Sequence, residues 1–135
     1  MNMTGPFISE LAAVRAGFRA IMADNNKQQY KEFGFWVIMK NKADKSGVDF
    51  YNTDVVDGGS GEVSMTLPHE MVRANCHTHP KRYSTGNFST NDKNNFVMLR
   101  DKQHPMPFYL LTPFGTISIA REENDFPGGK DVGWS

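Results

Sequence analysis

Cys76-His77-Thr78-His79-Pro80, continued through Ser89-Thr90-Asn91-Asp92, sets the end of a strand against the start of a helix. Strand side chains alternate faces, so His77 and His79 project to the same side if the backbone there is extended. Asp92 follows a loop rich in Gly, Asn and Ser and could supply a third, harder ligand. Imidazole plus carboxylate suits Zn²⁺, and three protein ligands leave a fourth position for water. Such an open site is catalytic in kind rather than structural.

Working outward, Met71 to His77 reads as the strand that carries both histidines out at its end. Glu32-Phe33-Gly34-Phe35-Trp36-Val37-Ile38-Met39 is the strongest strand signal. Phe33, Phe35, Val37 and Met39 line one face and Trp36 and Ile38 the other, so both faces are expected to be buried. Glu32 sits at its start. Val48 to Tyr51 and Glu62 to Leu67 read as further strands, set off by the polar turns Asn41 to Gly47 and Asp57 to Gly61. Ser9 reads as the N-cap of a helix to about Met22, with Leu11, Val14, Phe18, Ile21 and Met22 on one face and an exit loop from Asp24 to Lys27. Ser89 caps a second helix to about Gln103, and Phe108 to Thr112 pairs with Thr116 to Ala120 through Pro113-Phe114-Gly115. Glu122 to Ser135, with Pro127-Gly128-Gly129, reads as a loose tail. The expectation is one α+β domain over 1–135, a mixed sheet flanked by two helices; the pattern does not fix the strand pairing.

Composition narrows the function classes. Hydrophobic residues make up 39% and charged residues 22%, as in a globular chain. Lys+Arg and Asp+Glu balance at 15 each, so no basic field argues for nucleic acid. No long apolar run suggests a signal peptide or a spanning helix. The single cysteine, Cys76, excludes an internal disulfide and fits a reducing compartment. The expected location is the cytoplasm, or another cell reached by a route without a cleavable signal.

The two halves of the opening stretch together resemble the JAMM motif of the JAB/MPN metalloprotease superfamily: His-x-His, a spacer, then Ser-x-x-Asp, with a glutamate on an early strand. The pattern His-Thr-His-Pro with Phe88 before Ser89 is similar to JAB-like domains associated with bacterial polymorphic toxins. The resemblance spans most of the chain, from Glu32 to the last hairpin, and implies a curved mixed sheet and a zinc-dependent hydrolase of amide or isopeptide bonds. On it, His77, His79 and Asp92 would bind Zn²⁺. Glu32 would take a proton from the metal-bound water and return it to the leaving amine, and Ser89 would stabilise the oxyanion. The implied substrate is a protein or peptide, with a peptidoglycan amide as one form, and an immunity protein is an implied partner. The spacer, residues 80–88, is longer than is usual in the family, and the additional length fits a loop containing Gly86 and Asn87.

Plainer readings compete. A lone His-x-His is often two surface histidines, and Ser-x-x-Asp alone is often a helix capping box. Glu10, Glu62 and Glu70 are rivals to Glu32, which is preferred because it begins the buried early strand. Cys76 reads as a buried small residue, since strand neighbours face opposite ways and His77 could not easily activate it. His69-Glu70 and His104 read as surface or loop residues, Lys81-Arg82 as a solvated loop or a substrate contact, and the methionines as packing filler. A non-catalytic MPN-like binding or scaffold module is the alternative function, and a DNA-processing role is disfavoured by the charge balance.

Overall fold

A computed structural model describes residues 2–24, 31–58, 65, 67, 71–80 and 85–135. The expected strand Glu62 to Leu67, the link His69-Glu70 and the pair Lys81-Arg82 lie wholly or mostly outside the described residues. Eight strands form one mixed sheet among the described residues: β1 (Met3–Phe7), β2 (Phe33–Asn41), β3 (Val48–Thr53), β4 (Val56–Asp57), β5 (Val72–Thr78), β6 (Phe108–Leu111), β7 (Ile117–Ala120) and β8 (Lys130–Asp131). Their order is β1-β3-β2-β5-β6-β7-β8, with β4 pairing to the start of β2. Only β5 and β6 run parallel, because the helix α2 (Thr90–Asp101) carries the chain back between them. No described helix is long and apolar enough to cross a membrane.

Alternation along the central strands divides the core in two. Phe33, Phe35 and Val37 of β2, Ala74 and Cys76 of β5, and Tyr109 and Leu111 of β6 pack with α1 (Glu10–Ala23). Trp36, Phe108 and Leu110 face the other way and pack with Phe96 and Leu99 of α2. β2 is therefore covered on both faces, as its unbroken apolar run requires. On α1 the stripe is Ala13, Val14, Gly17, Phe18 and Ile21. Met22, expected on that face, is instead 47% exposed, because Ile21 already takes the last turn's inward position. Ser9 Oγ accepts the Ala12 N–H at 3.0 Å and caps the helix as expected.

The C-terminal segment corrects the reading of 122–135 as loose. Lys130–Asp131 extends the sheet by pairing with β7. Phe126 is buried beside Phe88 and Phe96, each with ring centroids 5.1 Å away. Trp134 Nε1 donates to the Gly115 carbonyl at 2.7 Å. Arg15 and Arg19 of α1 donate to the carbonyls of Val132, Gly133 and Trp134. Turn residues dominate the segment's composition and hide two aromatic anchors. β1, β4 and β8 also went unread: β1 has Gly and Pro inside it, and the other two are very short.

The close approach of α1 to the sheet depends on Gly17, where a Cβ would overlap the Phe35 ring. Phe35 is fully buried and has no room to retreat. Gly17→Ala raises intrinsic helix propensity by about 1 kcal/mol, but overpacking costs about 1–3 kcal/mol. The substitution is expected to lower the urea midpoint; a higher midpoint would mean that the helix does not sit this close.

Candidate metal centre

Strand pairing builds the first half of the centre. Gly34 stands opposite His77, and continuing that antiparallel register places Glu32 opposite His79. His77, His79 and Glu32 are all buried, at 4%, 4% and 5% exposure. Glu32 Oε1 lies 3.6 Å from His79 Nε2. Two bonds lock the strand ends that carry them: Phe33 N–H donates to Thr78 Oγ1 at 3.0 Å, and Gly58 N–H to the Glu32 carbonyl at 2.8 Å.

The helix cap builds the second half. Ser89 Oγ accepts the Asp92 N–H at 3.1 Å, and Asp92 Oδ2 accepts the Ser89 N–H at 2.7 Å. This is a reciprocal capping box, as the plainer reading of Ser-x-x-Asp expects. The same box aims the carboxylate at both rings. Asp92 Oδ1 lies 3.1 Å from His77 Nε2, and Oδ2 lies 3.3 Å from His79 Nε2. Phe88, just before the cap, donates its N–H to the Pro127 carbonyl at 2.7 Å, so the C-terminal segment braces the turn that delivers Asp92.

The donor set fits a metal ion. One ligand atom from each of His77, His79 and Asp92 lies within 4.8 Å of the others. Bonds of about 2.0–2.1 Å in a tetrahedron give ligand-to-ligand edges of roughly 3.3 Å, and each imidazole Nε2 has an Asp92 oxygen at about that separation, Oδ1 at 3.1 Å from His77 and Oδ2 at 3.3 Å from His79. His77 Nε2 is buried without a hydrogen-bond partner, since Asp92 Oδ1 is near but not aligned to receive an N–H. His77 Nδ1 lies 3.3 Å from Asn75 Oδ1, an oxygen that only accepts. With Asn75 Oδ1 accepting from Nδ1–H, the Nε2 lone pair of the neutral ring faces inward, the tautomer that a metal ligand needs. A lone pair facing a carboxylate oxygen is repulsive unless a proton or a metal ion lies between them.

Ionisation follows the same geometry. Burial works against charging His77, but the carboxylates of Asp92 and Glu32 outweigh it and raise its pKa. Burial likewise opposes the charged form of Asp92. The contacts with His77 and His79 and the Ser89 N–H prevail and hold it well below the usual carboxylate range.

The cluster opens into a cleft of ≈ 1100 Å³ that also takes in Ser89. Glu32 is the glutamate brought to the cluster among the described residues. Glu10 lies across the sheet, accepting the Tyr109 hydroxyl at 2.6 Å, and Glu62 and Glu70 lie outside the described residues. Cys76 is buried on the α1 face, where desolvation pushes its thiol well up, away from nucleophilic use. His104, read as an ordinary loop residue, lines the cleft with Lys102. Asn75 was missed, although it stands at position i−2 to His77 on one strand and so had to share its face. Searches of protein-family models, curated proteins and solved structures return no match for this chain.

The metal-free protein should therefore depend on pH in a defined way. A group whose folded pKa is raised contributes stability that is complete below its ordinary value and lost above the raised one. For His77 that ordinary value is 6.5, so stability to urea should fall as pH rises from there. Asp92 has the opposite sign, and its contribution should fade only as pH drops below 3.8. His77→Gln should flatten the upper limb; an unchanged slope would show that the pair does not titrate together.

Proposed function

We propose that this chain is a zinc-dependent hydrolase of amide or isopeptide bonds of the JAMM type, on a JAB/MPN-like version of the mixed sheet. The observation that carries the reading is the meeting of His77, His79 and Asp92, drawn from a strand end and a helix cap, with the Glu32 carboxylate 3.6 Å from His79 Nε2. This arrangement of donors matches the motif the sequence resembles, and the unpartnered Nε2 of His77 supports a cation between the rings and Asp92.

Each residue then has a task. His77, His79 and Asp92 hold Zn²⁺, which supplies Lewis acidity toward a carbonyl and lowers the pKa of water. Asn75 fixes the His77 tautomer. Glu32, buried at the edge of the cluster, accepts a proton from the attacking water and delivers it to the leaving amine. Ser89 Oγ accepts from the Asp92 amide, which leaves its own O–H to donate into the cleft toward a developing oxyanion. Burial keeps Glu32 and the histidines from bulk water, which strengthens these electrostatic contacts.

Elemental analysis should find about one Zn²⁺ per chain, lost on His77→Ala. Asn75→Ala should weaken zinc binding by about 10–100-fold with the ligands intact. Glu32→Gln should retain zinc and lower turnover of a peptide or isopeptide substrate by about 10²–10⁴-fold. Protein that takes up no zinc after careful addition would remove the reading. Zinc held tightly without hydrolysis of peptide, isopeptide or cell-wall amides would instead leave a binding module.

The toxin-like sequence pattern extends the proposal to an effector domain that acts in a target cell and is held in check by an immunity protein. Expression of the wild-type chain should then slow growth while Glu32→Gln does not. Equal growth of the two would discard that extension.

A further inference from the structure

The cleft does not end at the histidines. Asn91, Asp92, Asn95, Met98, Leu99 and Lys102 of α2 and its C-cap all line it, at helical spacing that keeps them on one side. Asp92 and Lys102 are separated by roughly 15 Å at about 1.5 Å rise per residue. An extended peptide at about 3.3 Å per residue would cover that run with four to five residues. Trp36, Met65, Leu67 and Phe108 supply an apolar wall. Asn87 and Asn95 line the cleft as well, and each carboxamide offers both a donor and an acceptor, the complement of a peptide group.

Charge along the cleft is unequal. The acids that line it among the described residues, Glu32 and Asp92, both belong to the histidine end. At the other end Lys102 is the only lysine or arginine lining it among the described residues. The Lys102 backbone is fixed, its N–H donating to the Met98 carbonyl at 3.0 Å, while its ammonium has no ion pair or hydrogen bond among the described residues. A lysine is favoured at any helix C-terminus by the macrodipole. That accounts for the residue type and leaves its place at the cleft, with no partner among the described residues, to be explained.

We infer that the cleft takes an extended peptide bearing a carboxylate about four residues from the scissile amide, with Lys102 as its specificity-determining contact and apolar side chains in between. The inference rests on the hydrolase reading for the position of the scissile bond. The carboxylate is either an acidic side chain or a free chain end, and both present the same group to Lys102.

The test measures binding by fluorescence anisotropy to zinc-loaded Glu32→Gln protein, in which a bound peptide stays whole. The probe is a fluorescein-labelled alanine–leucine octapeptide with a single aspartate, set against the same peptide with asparagine or lysine there. A further pair, free acid against C-terminal amide, separates the two sources of carboxylate. The aspartate or free-acid peptide should bind about three- to fivefold more tightly than its neutral counterpart, as expected for an exposed ion pair, with the margin shrinking in salt. Adding Lys102→Gln should abolish the preference, and Lys102→Glu should turn it toward the lysine peptide. A ranking unaffected by Lys102→Glu, or no peptide binding at all, would overturn the inference. Cleavage by wild type without charge preference would leave the hydrolase standing without this specificity, and charge-dependent binding without any cleavage would do the reverse.

Discussion

The Asp92 carboxylate ties the helix to the sheet. Its Oδ2 completes the cap of α2 through the Ser89 N–H at 2.7 Å, and its two oxygens face the two imidazoles at 3.1 and 3.3 Å. A capping carboxylate has its rotamer set by the backbone it caps, so the same bond that starts the helix fixes where the charge lies. Much of the remaining architecture holds the two partners at that distance. α2 is pressed to the sheet by Phe96 and Leu99, and Phe88 is held by Phe126 and by the Pro127 carbonyl.

Alternation along β5 decides which side chains can take part. Asn75 and His77 face α2 while Ala74 and Cys76 face α1, and no rotation of one residue can mix the sets. A one-residue slip of β5 against β2 would bring the thiol to the cleft and bury the first histidine under α1. The slip would also turn Arg73 and Asn75 to the apolar face where fully buried Ala74 and Cys76 now pack, and each unpaired polar group left there would cost about 1–3 kcal/mol, more for a charged one. The apolar core thus protects the orientation of the donor set as well as the fold.

What the sequence made legible follows from which forces are local. The α1 stripe, the doubly covered β2 and the Ser89 cap are set by spacing within a few residues, and all could be read directly. Pairing two apart on a strand placed His77 and His79 together. The partition between Cys76 and His77 was legible for the same reason. Sheet order was not, because β5 next to β2 and parallel to β6 is a long-range choice that no local pattern encodes. The segment 122–135 was misread because its anchors, Phe126 and Trp134, are single aromatics among turn residues, and only their distant partners Phe88 and Gly115 give them meaning. His104 and Lys102 belong to the cleft because of how α2 lies across the sheet, which is again a property of packing.

Electrostatics constrain the centre beyond its geometry. Two carboxylates and two imidazoles share a space in which three of the four residues are at most 5% exposed, and the Asp92 side chain is 13% exposed. With neutral rings and both carboxylates ionised, that assembly carries two negative charges against little solvent, and buried charge is costly unless it is compensated. One proton on His77 offsets half of it and disappears as pH rises. A divalent cation would offset all of it and would give the inward Nε2 of His77 and the Asp92 carboxylate a common partner. The proposed zinc would therefore stabilise the fold through the same contacts that prepare the chemistry.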